Sequence, residues 1–269
     1  MKIIFLGTGG GRFATLHQTR STGGLLLDLG SYYVSVDPGP GALGMMKSLG
    51  INPQRILGLM VSHAHPDHYS NAEIIIEGIT AGGREKKGFV IGSRTVIEGG
   101  EDRCPAISSY HLGRVEATYT ALPGNAVYPT PELEIWIKRM EHSDPTTVGF
   151  RIATSDGEIG YIADTAFFSE LGREFAGLDI LVLPVTRPLG ASIPHHLCTD
   201  SALEVVREAR PKLALLNHLG IKMIRADPSK EARWIESQSG VRTVAAEDGM
   251  TVSLKKGRYG LEKPSGERT

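Results

Sequence analysis

The sequence predicts β-sheets packed against each other with helices on the outside. Three observations carry that prediction. Residues 1–60 hold four short apolar runs separated mostly by glycine-containing turns or polar connections, the pattern of successive strands. Beyond residue 164 the pattern changes to alternating helix and strand. The chain of 269 residues is long enough for one large domain or two small ones with a sizeable core.

In order, strands are expected over 2–6, 24–29, 32–36 and 55–61. The loop Gly7-Thr8-Gly9-Gly10-Gly11-Arg12 has neither the terminal Gly-Lys-Ser/Thr of a phosphate-binding loop nor a third fingerprint glycine where Arg12 stands. It reads as a flexible turn, with a second reading as the wall of a substrate mouth in which Arg12 meets an anion. Asp37, opening Asp37-Pro38-Gly39-Pro40-Gly41, reads first as a turn former and second as a partner for a metal-bound histidine. Ser70-Asn71-Ala72-Glu73 matches a capping box, so a helix is expected to run on through Ile74 to Ile79. A strand over 88–91 follows; 94–125 is ambiguous, and His111 within it is read as a non-ligand.

Strands are then expected over 133–140, 148–153 and 158–163, a helix over 167–175 and a strand over 178–185. The helix Thr199–Ala209, a strand over 212–217, a helix over 229–237 and strands over 241–246 and 250–254 complete the chain. Residues 255–269 are polar and read as a loose tail.

Composition narrows the class. Apolar residues are 41% and charged residues 22%, as in an ordinary soluble globular protein. A net charge of −1 leaves no broad basic field for nucleic acid or anionic membrane, local patches aside. Cys104 and Cys198 have no CxxC spacing and read as reduced thiols. The first apolar run is too short for a signal segment, and none reaches the ~18 residues of a membrane span. A cytoplasmic location is expected.

The chemistry concentrates in Val61-Ser62-His63-Ala64-His65-Pro66-Asp67-His68, with four potential metal ligands inside six residues. In extended chain His63 and His65 point the same way, and the turn started by Pro66 brings Asp67 and His68 to the same space. Imidazole and carboxylate suit zinc, manganese, iron or nickel. Four residues on one turn cannot close the shells of two ions. His142, Asp164 and His218 each fall just past an expected strand end, as His63 does, and strand ends converge on one edge of a sheet.

With Asp37, these residues make a strand-end aspartate, HxHxDH, a lone histidine, a lone aspartate and a final histidine. That pattern, over about residues 20 to 250, resembles the metallo-β-lactamase-fold hydrolase superfamily. The resemblance implies an α+β fold, a four-layer αββα sandwich, as a single domain over 1–254. It implies two divalent ions, Zn2+ first among Mn2+, Fe2+ and Ni2+. One would take His63, His65 and His142, the other Asp67, His68 and His218, with Asp164 bridging and a shared hydroxide as nucleophile. Asp37 then becomes a hydrogen-bond partner of a ligand.

Within the superfamily the sequence is most similar to ribonuclease Z and related phosphodiesterases. Phe5-Leu6-Gly7-Thr8-Gly9 and His196-Leu197-Cys198-Thr199-Asp200-Ser201-Ala202, leading to Leu215-Leu216-Asn217-His218, resemble theirs. In that branch a histidine 22 residues before the last ligand assists the leaving group, which here is His196, with His195 as the alternative. Catalytic roles are therefore expected for Asp67, orienting the water with Asp164 as the alternative, and His196, protonating the leaving oxygen. His196 also admits the reading of a solvated histidine ahead of a helix, or of half a His–His pair holding a further metal.

Only 22 residues separate His142 from Asp164, which leaves no room for the arm with which ribonuclease Z grips transfer RNA. After His218 comes Leu219-Gly220-Ile221-Lys222-Met223, without that enzyme's serine and arginine. The expected substrate is a small or cyclic phosphodiester or a short nucleic acid. The alternative is a thioester, lactone or other carbonyl substrate on the same metals, and an intact ligand set argues against a non-enzymatic scaffold. The expected partners are that substrate and, in a homodimer, a second copy of the chain; no membrane partner is expected.

Overall fold

A computed structural model describes residues 1–262. The strands are β1 (Lys2–Phe5), β2 (Leu25–Asp28), β3 (Tyr33–Val36), β4 (Ile56–Val61), β5 (Phe89–Gly92), β6 (Ala117–Thr120), β7 (Ala126–Thr130), β8 (Leu133–Arg139), β9 (Val148–Thr154), β10 (Gly157–Tyr161), β11 (Ile180–Pro184), β12 (Leu213–Asn217), β13 (Thr243–Ala245), β14 (Thr251–Lys255) and β15 (Arg258–Glu262). They form two mixed sheets, one ordered β15-β14-β1-β2-β3-β4-β5-β6 and the other β13-β12-β11-β10-β9-β8-β7. Helices pack on the outer faces, giving the αββα layers of the expected α+β fold.

Alternation within strands explains the layering. In β1, Ile3 and Phe5 join the core between the sheets, while Ile4 joins the layer beneath the helices Ala42–Ser48 and Ala72–Ile79. In β4, Met60 faces the other sheet and Leu59 and Val61 face the helices. A one-residue slip would exchange the two faces, so the register is firmly specified. Each such fully buried side chain contributes ~1.5–3 kcal/mol. The central strands β10, β11 and β12 run parallel, and β11 and β12 read as nearly continuous apolar segments because both of their faces are covered.

Directions matter for function. β3 and β4 are parallel, and β8, antiparallel to β9, points the same way as β10, β11 and β12. The C-terminal ends of β3, β4, β8, β10, β11 and β12 therefore open onto one edge. Val148 N bonded to Ser62 O at 3.1 Å ties the two sheets there.

Five expectations need correction. The glycine loop leads into a helix, Arg12–His17, and its backbone is bonded to residue 219, so it is not a free turn. The capping box does not form: the helix Ala72–Ile79 is preceded by Asn71 without a side-chain cap bond, Ser70 Oγ donates to Pro66 O and Glu73 accepts Ser108 N; the stretch left ambiguous contains β6. The helix expected over 167–175 shrinks to Leu171–Glu174, because Ala166 N donates to Glu141 O at 2.7 Å and holds the preceding chain in a loop. The tail expected from 255 begins with the last residue of β14 and then β15. Lys256 and Gly257, both at positive φ, make the two-residue turn that right-twisted hairpins favour. The rest of that tail, 263–269, lies outside the described residues.

Candidate metal centre

Seven side chains from the strand ends form two facing groups. In the first, His63 Nε2 lies 3.0 Å and His142 Nε2 3.2 Å from His65 Nδ1, and Asp164 completes the group. In the second, His68 Nε2 lies 3.1 Å from His218 Nε2, which is 3.4 Å from Asp67 Oδ2. Asp164 Oδ2 sits between the groups, 3.8 Å from His142 Nε2 and 3.7 Å from His68 Nε2. All of the residues predicted as ligands are thus brought together.

The donor set fits divalent cations. Ligand nitrogens at ~2.0–2.1 Å from a tetrahedral zinc lie roughly 3.3–3.4 Å apart, close to the spacing of the facing imidazoles. Several rings are held by their other nitrogen. His68 Nδ1 donates to Asp37 Oδ2 at 2.9 Å, and His142 Nδ1 donates to the His195 carbonyl at 3.0 Å. His63 Nδ1 donates to Ser62 Oγ at 3.0 Å, which in turn donates to Asp37 Oδ2 at 2.6 Å. Such bonds set the tautomer and turn the free lone pair inward. Asp164 Oδ1, buried, makes no hydrogen bond among the described residues.

The local field also draws positive charge. Burial would lower the His68 pKa, yet the carboxylates of Asp67 and Asp37 raise it to about 10. Burial would raise Asp164, yet His218, His68 and their neighbours hold it below the ordinary carboxylate range. Burial pushes His63 well down, and His68 beside it adds to that.

Asp37 is therefore no mere turn former. Its carboxylate also accepts Ser62 N at 2.7 Å and the buried Tyr161 hydroxyl at 2.7 Å, joining β3, β4 and β10 under the site. Asp37 and His218 both have positive φ, at 50° and 52°, a conformation costly for non-glycine residues.

Three supports were not expected from the sequence. Asp144 Oδ2 accepts the backbone N–H of Ala64, between His63 and His65, and the Thr95 hydroxyl at 2.6 Å. Gly10 packs against the face of His218; a Cβ there would come within 2.2 Å of the ring, so only glycine fits. Gly11 N donates to Asp67 Oδ2 at 2.9 Å, and buried Asp248 anchors the loop by accepting from Thr8 N and Oγ1. The glycine cluster was the visible signal for the loop; Asp144 and Asp248 have none, since their partners are remote in sequence.

Beside the cluster opens a cleft of about 370 Å³ lined by Arg12, Phe13, Arg187, Ile193, His195 and His196 among others. His196 Nδ1 is 3.6 Å from Asp164 Oδ2, buried and without a hydrogen bond among the described residues. Burial lowers its pKa, against the pull of Asp164. His195 has positive φ and an exposed side chain on the cleft, its ring 6.1 Å from that of His142, while its carbonyl holds His142 Nδ1.

The model of the β-lactamase superfamily domain matches residues 32–219, which includes every residue of the cluster. The chain belongs to the β-lactamase superfamily. As a member with this His/Asp cluster, it is a metal-dependent hydrolase by family. It is 38% identical over 263 residues to MJ1374, an uncharacterised protein of Methanocaldococcus jannaschii, covering 96% of this chain and 97% of that one. It is 26% identical over 145 residues to ribonuclease Z of Pyrococcus abyssi, covering 54% of this chain and 46% of that enzyme. Among solved structures, the metallo-β-lactamase fold protein YhfI from Bacillus subtilis superimposes with a TM-score of 0.76 at 19% identity, covering 96% of this chain and 98% of that one. Among the described residues, no helix of this superfamily member is long and apolar enough to cross a membrane.

Proposed function

We propose that the protein is a phosphodiesterase acting on a small or cyclic phosphodiester or a short nucleic acid through a dinuclear site. His63, His65 and His142 would hold one ion, Asp67, His68 and His218 the other, and Asp164 would bridge them, with zinc the metal that suits the nitrogen-rich donor set. Divalent ions bound there supply Lewis acidity, which lowers the pKa of water and offsets charge on a phosphoryl oxygen.

The observation that carries the reading is His196 beside Asp164 at the mouth of the cleft, with Nδ1 making no hydrogen bond among the described residues. An imidazole so placed holds a proton for an alkoxide leaving oxygen, the group a phosphodiester releases. Asp67, fixed by Gly11 N–H, orients the attacking water. Water adds to phosphorus, the ester P–O bond breaks, and His196 gives its proton to the departing oxygen. The similarity to ribonuclease Z over half of the chain supports the same substrate class.

The test is turnover of bis-p-nitrophenyl phosphate, 2′,3′-cyclic nucleotides and dinucleotides by protein reconstituted with zinc or manganese, alongside a thioester and a lactone panel. Cleavage of phosphodiesters, reduced ~10²–10⁴-fold in His196→Ala, is expected. Turnover confined to the carbonyl panel would replace the proposal with the alternative substrate class.

A further inference from the structure

Two arginines in the cleft have no part in the metal cluster and, among the described residues, no acidic partner. Arg12 and Arg187 both line it, no carboxylate lines it with them, and neither is in an ion pair among the described residues. Arg187 is the more telling. Its Nε is buried without a hydrogen-bond partner among the described residues, and an unpaired guanidinium N–H away from water is costly unless a ligand meets it.

Its backbone is held on both sides. Residue 187 bridges to Cys198, and its carbonyl accepts Thr199 N at 3.1 Å, next to the segment that carries His196. Thr186, one residue earlier, reaches the other way, to within 3.3 Å of His218 Nδ1. Arg187 thus lines the cleft from a backbone fixed between the His196 segment and the residue that reaches His218. Arg12 stands at the start of the helix after the glycine loop, exposed on the rim. Eight of the fifteen other described arginines are in ion pairs, as Arg151 is with Glu158 and Arg173 with Glu208, so it is the buried, unbonded Nε rather than the lack of a carboxylate that sets Arg187 apart.

We infer that the cleft recognises a second anionic group on the substrate, a phosphate separate from the scissile one, through Arg187 and Arg12. The scissile group belongs to the His/Asp cluster and His196; a planar, always-charged guanidinium outside that cluster is suited to a further phosphate. Phe13 and Ile193, on the same cleft, suit the apolar part of a substrate lying between the two anions. The inference rests on the phosphodiesterase reading and adds the charge pattern of the substrate.

Two sources share this chemistry, a terminal phosphomonoester and a neighbouring backbone diester. The test compares kcat/KM of the metal-loaded protein on TpT, which has one phosphate, on 5′- and 3′-phosphorylated TpT, and on TpTpT. A preference for at least one substrate with two phosphates over TpT is expected, and which one identifies the source. In Arg187→Gln that preference collapses by roughly 10- to 100-fold, with a smaller loss in Arg12→Gln and partial recovery in Arg187→Lys. A second arm titrates the purified protein with thymidine 3′,5′-bisphosphate and thymidine 5′-monophosphate by calorimetry. Tighter binding of the bisphosphate, lost in Arg187→Gln with an unchanged melting profile, supports the inference independently of turnover. Equal kcat/KM on all four substrate types, or an equal loss on TpT and the substrates with two phosphates in Arg187→Gln, overturns it. Failure of the wild type on every phosphodiester, with the bisphosphate still preferred in calorimetry, sinks the phosphodiesterase reading and leaves the anion site standing.

Discussion

The carboxylate of Asp144 accepts the backbone N–H of Ala64 at 3.1 Å, across 80 residues of sequence. Ala64 is the spacer between His63 and His65, so this bond fixes the chain from which both imidazoles project. Asp144 is itself held by Thr95 Oγ1 at 2.6 Å and by Thr146 N and Oγ1 at 3.0 Å each.

Replacing Asp144 by Ala should therefore act on metal affinity before it acts on folding. Loss of an outer partner of a metal site lowers affinity by ~10–100-fold. The unmet buried donors should also cost about 1–3 kcal/mol of stability. Competition for zinc against a chromophoric chelator, with thermal melting beside it, measures both. Unchanged zinc affinity in a folded Asp144→Ala protein would remove Asp144 from the site.

Gly10→Ala should push the His218 ring away from His68, because no space exists for the added methyl. Lower metal occupancy and a large loss of activity are expected. Gly44→Ala is the matched control, since Gly44 lies in the helix Ala42–Ser48 with nothing within 4 Å of the added carbon. That variant should keep its metal and gain up to about 1 kcal/mol in stability.

Chelation should lower Tm and abolish turnover, with both restored on adding metal, because ions that bind only the folded chain stabilise it by mass action. His63→Ala and His218→Ala strike different halves of the cluster. Each should reduce metal content measured by elemental analysis from two ions to one per chain. A single ion in the wild type, lost altogether in both variants, would contradict the dinuclear proposal.

Away from the site, Asp179 offers a pH test. Burial would raise its pKa, but Lys212 Nζ at 2.7 Å and Glu158 N at 2.9 Å outweigh it and hold the carboxyl low. A depressed folded pKa means stability that is present above the unfolded value, ~3.9, and is lost as pH falls through the folded one. Asp179→Asn should melt below the wild type at pH 7, and the gap should close below about pH 4. A gap independent of pH between 7 and 3 would assign the effect to shape alone.

The sequence by itself determined the layered fold class and the list of side chains that gather at the edge. Both rest on short-range information. Alternating apolar residues commit a strand's faces, and HxHxDH, Asp164 and His218 follow directly on strand ends. What surrounds that list was decided only in three dimensions. Asp144 meets Ala64 across 80 residues, and Asp248 meets Thr8 across 240. Gly10 matters because His218 lies against it. Adjacent histidines carry no local mark of which one meets the bridging carboxylate; the fold leaves His195 exposed on the cleft and puts His196 beside Asp164. Local patterning names the groups that can do chemistry, whereas their orientation depends on contacts made only once the two sheets have closed on each other.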